Sequence, residues 1–141
     1  MERAEADRLI AELGDALGMP DLALDANGVC SLVIDGALVP TFGHNPRAGS
    51  LDMMICLDGV IPDAALMRDL LEANFGWLDG FGYALSPASG ALVLQRRCTP
   101  HDCRGGLRPL LEALLGAAER MAKASSRPAA EATAESWGIR A

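Results

Sequence analysis

The segment CTPHDC gathers the residue types most able to do chemistry: Cys98, His101, Asp102 and Cys103 stand within six positions. Thiolate, imidazole and carboxylate are all zinc-ligand types, and a closed structural zinc site needs four of them. The spacing is not that of a finger or ribbon, no second ligand pair stands elsewhere, and the four cysteines (Cys30, Cys56, Cys98, Cys103) form no CxxC pair. A thiol nucleophile needs a cysteine near a histidine in electropositive surroundings. Cys98 and Cys103, close in sequence to Arg96, Arg97 and Arg104, are the candidates for that role. The plainer reading is the end of a strand, a turn and an N-cap region, with reduced structural cysteines. Other catalytic patterns are thinner still. There is no GxGxxG and no Walker A sequence. Asp52 and Asp58 share one face of a strand, but six residues at about 3.3 Å each put them roughly 20 Å apart, too far for a catalytic carboxylate pair. The expectation is a protein with no catalytic residues, no metal and no cofactor.

The elements that would position these residues can be read along the chain. Residues 4–17 place Leu9, Ile10, Leu13 and Leu17 at helical spacing, and Gly18 and Pro20 stop the helix. VCSLVIDGALVPTF is two β-rich runs flanking Asp35-Gly36, which predicts a hairpin with a two-residue turn, Ile34 facing Ala37 and Leu32 facing Val39. Pro40 makes the second strand an edge or a bulged strand. LDMMICLD is a third strand, with Leu51, Met53, Ile55 and Leu57 on one face and Asp52, Met54, Cys56 and Asp58 on the other. Asp63 caps a second helix that runs to Gly76, with Leu66, Leu70 and Ala73 in one stripe and Met67, Leu71 and Phe75 beside it. A second hairpin turns at Ser86–Gly90, and residues 107–123 form a third helix. The order α-β-β-β-α-β-β-α predicts an α+β domain over residues 1–123 with a mostly antiparallel sheet, followed by a loose tail over 124–141.

Composition narrows the function. The 141 residues are half hydrophobic, with a mean hydropathy of +0.19, as in a folded single domain. The net charge of −7 repels phosphate backbones and anionic lipids, so nucleic acid and membrane are not expected partners. The charged, helical start is no signal peptide and no apolar run is long enough to span a bilayer, which predicts a cytoplasmic protein with reduced thiols. Apolar surface is in excess. The first strand is apolar on both faces, Cys30, Leu32 and Ile34 against Val29 and Val33, and a small sheet covered on one side has only one face to bury. The remainder must meet another copy or a bound polypeptide. Four of the six aromatics, Phe75, Trp77, Phe81 and Tyr83, also crowd into the stretch EANFGWLDGFGY. They fill either the core at the helix–strand junction or an interface, where aromatics are enriched.

Three stretches together resemble the class I chaperones of bacterial type III secretion, the Tir-chaperone-like (CesT-type) family: SLVIDGALVPTF, LDMMICLDGVIPDAALMRDLLEANFGW and GFGYALSPASGALVLQRRC. The resemblance covers roughly residues 4–123 and includes neither the CTPHDC loop nor the tail. It implies a small cytosolic homodimer. The dimer binds the N-terminal segment of a secreted effector in extended form, keeps it secretion-competent and hands it to the secretion ATPase without hydrolysing nucleotide itself. It also implies a dimer seam on the second helix and the following strand, here Leu66, Leu70, Phe75, Trp77, Phe81 and Tyr83. The effector surface is expected on the first helix, the first hairpin and the third strand, at Leu9, Leu13, Leu32, Ile34, Val39 and Met54. A regulatory or interaction module of the same fold, without a secreted client, is the alternative.

Overall fold

The computed structural model describes residues 1–34, 38–76 and 80–125. Helix α1 spans Arg3–Leu17 and turns one stripe inward, burying Ala6, Leu9, Ile10 and Leu13. These recur at intervals of three and four, the spacing that lines one side of a helix. Gly18 ends α1 in the left-handed conformation (φ 71°), a backbone shape that costs glycine nothing. The Met19 N–H then donates to the Gly14 carbonyl at 2.7 Å, folding the chain back against the helix. Gly14 is buried at that fold: a Cβ there would lie 2.5 Å from the Met19 oxygen and 3.0 Å from the Leu22 Cβ. Gly14→Ala is therefore expected to destabilise the fold by about 1–3 kcal/mol through overpacking, despite alanine's better helix propensity. A lowered urea midpoint would register it.

Among the described residues five strands follow: β1 (Val29–Ser31), β2 (Thr41–Asn45), β3 (Ser50–Cys56), β4 (Gly82–Leu85) and β5 (Leu92–Cys98). All pairings are antiparallel and the spatial order is β1-β2-β3-β5-β4, so β1 and β4 are the sheet's two edges. Helix α2 (Ala64–Gly76) crosses from β3 to β4. Its N-terminus is capped as expected, with Asp63 Oδ1 accepting the Leu66 N–H at 2.8 Å. A short 3₁₀ turn, Asp102–Gly105, leads into helix α3 (Arg108–Ser125). The α+β class, the element order and the antiparallel sheet agree with the sequence reading.

The first hairpin differs from expectation by one residue. Cys30 pairs with Phe42, Ser31 with Thr41, and an isolated bridge joins Ile34 to Leu38. Leu32 thus lies across from Pro40, whose carbonyl accepts its N–H at 2.9 Å, and not from Val39. The partners of the bridge are separated by three residues, 35–37, so the two-residue turn at Asp35-Gly36 does not set the register; those turn residues lie outside the described ones. Burial chose the register. Side chains alternate with a period of two, and this pairing puts Cys30, Leu32, Pro40 and Phe42 together inside, with Val29, Val33 and Val39 together outside.

The inner sheet face, α1 and α3 share one core. Leu51, Met53 and Ile55 of β3, Leu92 and Leu94 of β5, and Leu107, Leu111, Leu114 and Ala118 at and along α3 are all buried in it. The inward face of β3 is as the alternation foretold.

Candidate functional site

The CTPHDC segment resolves into a capped turn. The Thr99 N–H and hydroxyl both donate to Asp102 Oδ2 at 2.9 Å, and the Asp102 N–H donates back to Thr99 Oγ1 at 3.3 Å. The Thr99 N–H holds the Asp102 carboxyl below its ordinary range. The stabilising charge is therefore present at neutral pH and lost as pH falls through that lowered value. Asp102→Ala should cost about 1 kcal/mol at neutral pH and progressively less in acid, measurable as a thermal shift at two pH values. Cys98 and Cys103 are buried. A hydrogen bond to Cys103, together with burial, keeps the Cys98 thiol protonated, and the same contact lowers Cys103. His101 is exposed and makes no cap bond with its side chain. Among the described residues no group of three or more His, Cys, Asp or Glu is placed to hold a metal ion.

The surplus apolar surface takes two forms. The first is the outer face of the sheet. Near one end it is polar and satisfied internally: Arg97 pairs with Asp52 at 3.2 Å, and Asp52 also accepts from Ser50 Oγ at 2.8 Å and Asn45 Nδ2 at 3.2 Å. Toward the other end it becomes apolar. Met54 sits across from Thr41, and continuing that register brings Cys56 across from Val39, which faces Val33. Val33 is 65% exposed, Val39 44% and Met54 40%. This apolar row leads to β1, an edge strand on which Asp25 already bonds both backbone groups of Val29, its N–H donating to the Val29 carbonyl at 2.8 Å and its Oδ1 accepting the Val29 N–H at 3.0 Å, which leaves the edge beyond it, at Ser31, for a partner.

The second is the outward side of α2. Met67, Leu71 and Phe75 recur every four residues and form the apolar wall of an open cleft of about 830 Å³, with Pro62 and Ala64 at its start. Phe75 is 93% exposed and Leu71 67%. The adjacent stripe, Leu66 and Leu70, enters the core. Asn74 fixes the helix end to the edge strand β4: its Nδ2 donates to the Tyr83 carbonyl at 2.8 Å and its Oδ1 accepts the Tyr83 N–H at 2.7 Å. Two exposed apolar surfaces among the described residues are thus the sheet's outer face and the outer side of the crossover helix.

The expected site residues divide accordingly. Leu9, Leu13 and Leu32 are buried in the subunit's own core and offer no surface to a partner, because α1 and the inner hairpin face cover one another. Ile34 is half-buried, while Val39 and Met54 are exposed on the outer face. Leu66 and Leu70 are also core residues, Phe75 is fully outward, and Phe81 and Tyr83 are half-buried against the core. The Phe81 ring lies 5.6 Å from the Arg96 guanidinium carbon, a cation–π contact. Trp77 lies outside the described residues. Val33 and Leu71 are exposed and half-buried Met67 lines the α2 cleft, although the expected site did not include them. Period-two alternation in the hairpin and the second apolar stripe of α2 carried that signal.

Among the described residues no helix is long and apolar enough to cross a membrane. The sequence has no match among curated proteins. The chain is similar to several solved structures. One is the HopA1–SchA chaperone–effector complex, at 19% identity over 86% of this chain and 95% of that one, with a TM-score of 0.73. Another is the type III secretion chaperone SycH of Yersinia pestis in complex with a fragment of YscM2, at 20% identity over 86% and 99%, TM-score 0.68. The ExoT–SpcS complex from Pseudomonas aeruginosa is 25% identical over 85% and 98%, TM-score 0.64. The Tir chaperone protein (CesT) family model matches residues 8–122, nearly the whole described fold. The chain belongs to the Tir chaperone protein (CesT) family.

Proposed function

We propose that this protein is a type III secretion chaperone that acts in the cytoplasm as a homodimer, holding the N-terminal segment of a secreted effector in a partly non-globular, secretion-competent form. The observation that carries the reading is the exposed apolar row Val33, Val39 and Met54 on the outer sheet face, running to the edge strand β1, whose edge is free beyond the Asp25–Val29 pair. An extended client strand can pair its backbone with such an edge while alternate side chains settle on the apolar row. The similar chaperone–effector complexes support it. The α2 stripe supplies the dimer contact: Met67, Leu71 and Phe75 form a self-complementary ridge when a twofold axis sets one helix against its copy. The protein works by binding and not by catalysis. The buried cysteine pair and the capped Asp102 serve the fold, and the complex is delivered to the secretion ATPase.

The test is co-expression with a tagged N-terminal segment of a secreted effector encoded beside this protein. Co-purification of this chain with the segment, and loss of segment solubility when this chain is omitted, is the expected result. A segment that stays soluble alone and retains none of this chain contradicts the proposal.

A further inference from the structure

A second cleft, of about 630 Å³, lies between the first hairpin, the loop after β3 and the last turns of α3. Its floor is apolar, formed by Ile34, Leu38, Leu57 and Leu115, and Asp58 and Glu119 stand on its rim. Ala122 and Lys123 complete the wall from α3 itself. We propose that this cleft is the seat of the chain's own C-terminal segment, with the Trp137 indole on the apolar floor, Ile139 beside it and Arg140 facing Asp58 and Glu119.

Four observations point to this occupant. The described chain ends at Ser125, two residues beyond the cleft wall, and sixteen residues follow. The twelve steps from Ser125 to Trp137 reach up to about 40 Å when extended, so a return across a cleft that begins at the helix end needs no strain. Within 126–141 the large apolar residues are Trp137 and Ile139 alone, and they stand next to a cation in SWGIRA. That order of apolar, apolar and basic matches an apolar floor whose lining carries two carboxylates, Asp58 and Glu119, against the one ammonium of Lys123, and an indole has one of the largest apolar surfaces of any side chain to bury there. Tethering raises the local concentration of the segment to the millimolar range, so a contact too weak to hold a free peptide suffices. Cys56 lines the cleft and also belongs to the outer sheet face, so an occupied cleft extends the covered surface up to the apolar row. The inference stands whether or not that row binds an effector.

Trp77→Phe leaves Trp137 as the sole tryptophan of the full chain. The expected result is an indole emission shifted to the blue and quenched by acrylamide several-fold less than in a synthetic peptide of residues 126–141. Protection should persist on dilution. The exposed wall substitution Ala122→Glu, placed beside the floor, should return quenching toward that of the peptide without lowering the melting temperature. If Trp77→Phe does not fold, the difference between the unmodified chain and Trp137→Phe gives the same reading. Quenching equal to the free peptide overturns the proposal, as does protection that disappears on dilution, which would place the segment on a second copy, or protection that Ala122→Glu leaves untouched.

Discussion

Leu71→Asp and Phe75→Asp should each turn the proposed dimer into a folded monomer. Both side chains project from α2 into solvent in the single subunit, Phe75 almost completely. Removing either therefore withdraws little from the subunit's own core. In a seam built on the α2 ridge, the same two residues occupy the centre, where a buried aromatic or leucine anchor contributes about 2–4 kcal/mol. An aspartate placed there also faces its own copy across the twofold axis, adding like-charge repulsion in a desolvated setting. A dissociation constant raised by more than about a hundredfold follows from losses of that size. Light scattering on the eluting peak should give a mass near 14.8 kDa, with helical signal and melting temperature close to those of the parent chain. The matching control is Leu66→Asp or Leu70→Asp on the neighbouring stripe. Those residues are buried in the core, so a charge there should unfold the subunit. A dimer that survives Leu71→Asp and Phe75→Asp would place the interface elsewhere.

The second large effect concerns the outer sheet face. Val39→Asp combined with Met54→Asp should abolish capture of an effector segment while leaving the fold and the dimer intact. Met54 lies across from Thr41 and Val39 stands two residues before Thr41, so both point to the same face, and both are exposed in the subunit. Each client side chain buried against them is expected to contribute about 1.5–3 kcal/mol, and a carboxylate forced under the client costs more than the lost contact. Affinity should fall at least about a hundredfold, measured by calorimetry with the purified segment. Asp52→Asn at the polar end of the same face is the comparison: Arg97, Asn45 and Ser50 keep that end hydrated and internally paired, so capture should change little. Equal losses in both variants would remove the apolar row from the account.

Much of this is legible in the sequence. The alternation Leu51-Met53-Ile55 against Asp52-Met54-Cys56 gave the inward and outward faces of β3 because a half-buried strand has a period of two. Asp63, Gly18 and the turn at Ser86–Gly90 marked element ends, since capping and left-handed conformations leave strong signatures. The excess of apolar faces in the first hairpin and on α2 pointed to partner surfaces, and those surfaces are where exposed apolar residues stand. What could not be read was which of two stripes turns inward. Leu66 with Leu70 and Leu71 with Phe75 are equally apolar pairs about one helical turn apart, and only packing against the sheet decides between them. The hairpin register failed for a related reason. Asp35-Gly36 is a strong two-residue turn signal, yet burying Leu32, Pro40 and Phe42 together outweighs it. Leu9 and Leu13 could not be told from client contacts because a helix's apolar stripe looks the same whether it covers its own sheet or a partner.

In the proposed function two copies of this chain hold one extended effector segment. Its most direct test is the mass of the complex formed by co-expression with the N-terminal segment of the neighbouring secreted protein, measured by size exclusion with light scattering. The expected result is a single species with the mass of two chaperone chains and one segment. A clean dimer of this chain that elutes free of the segment would contradict it.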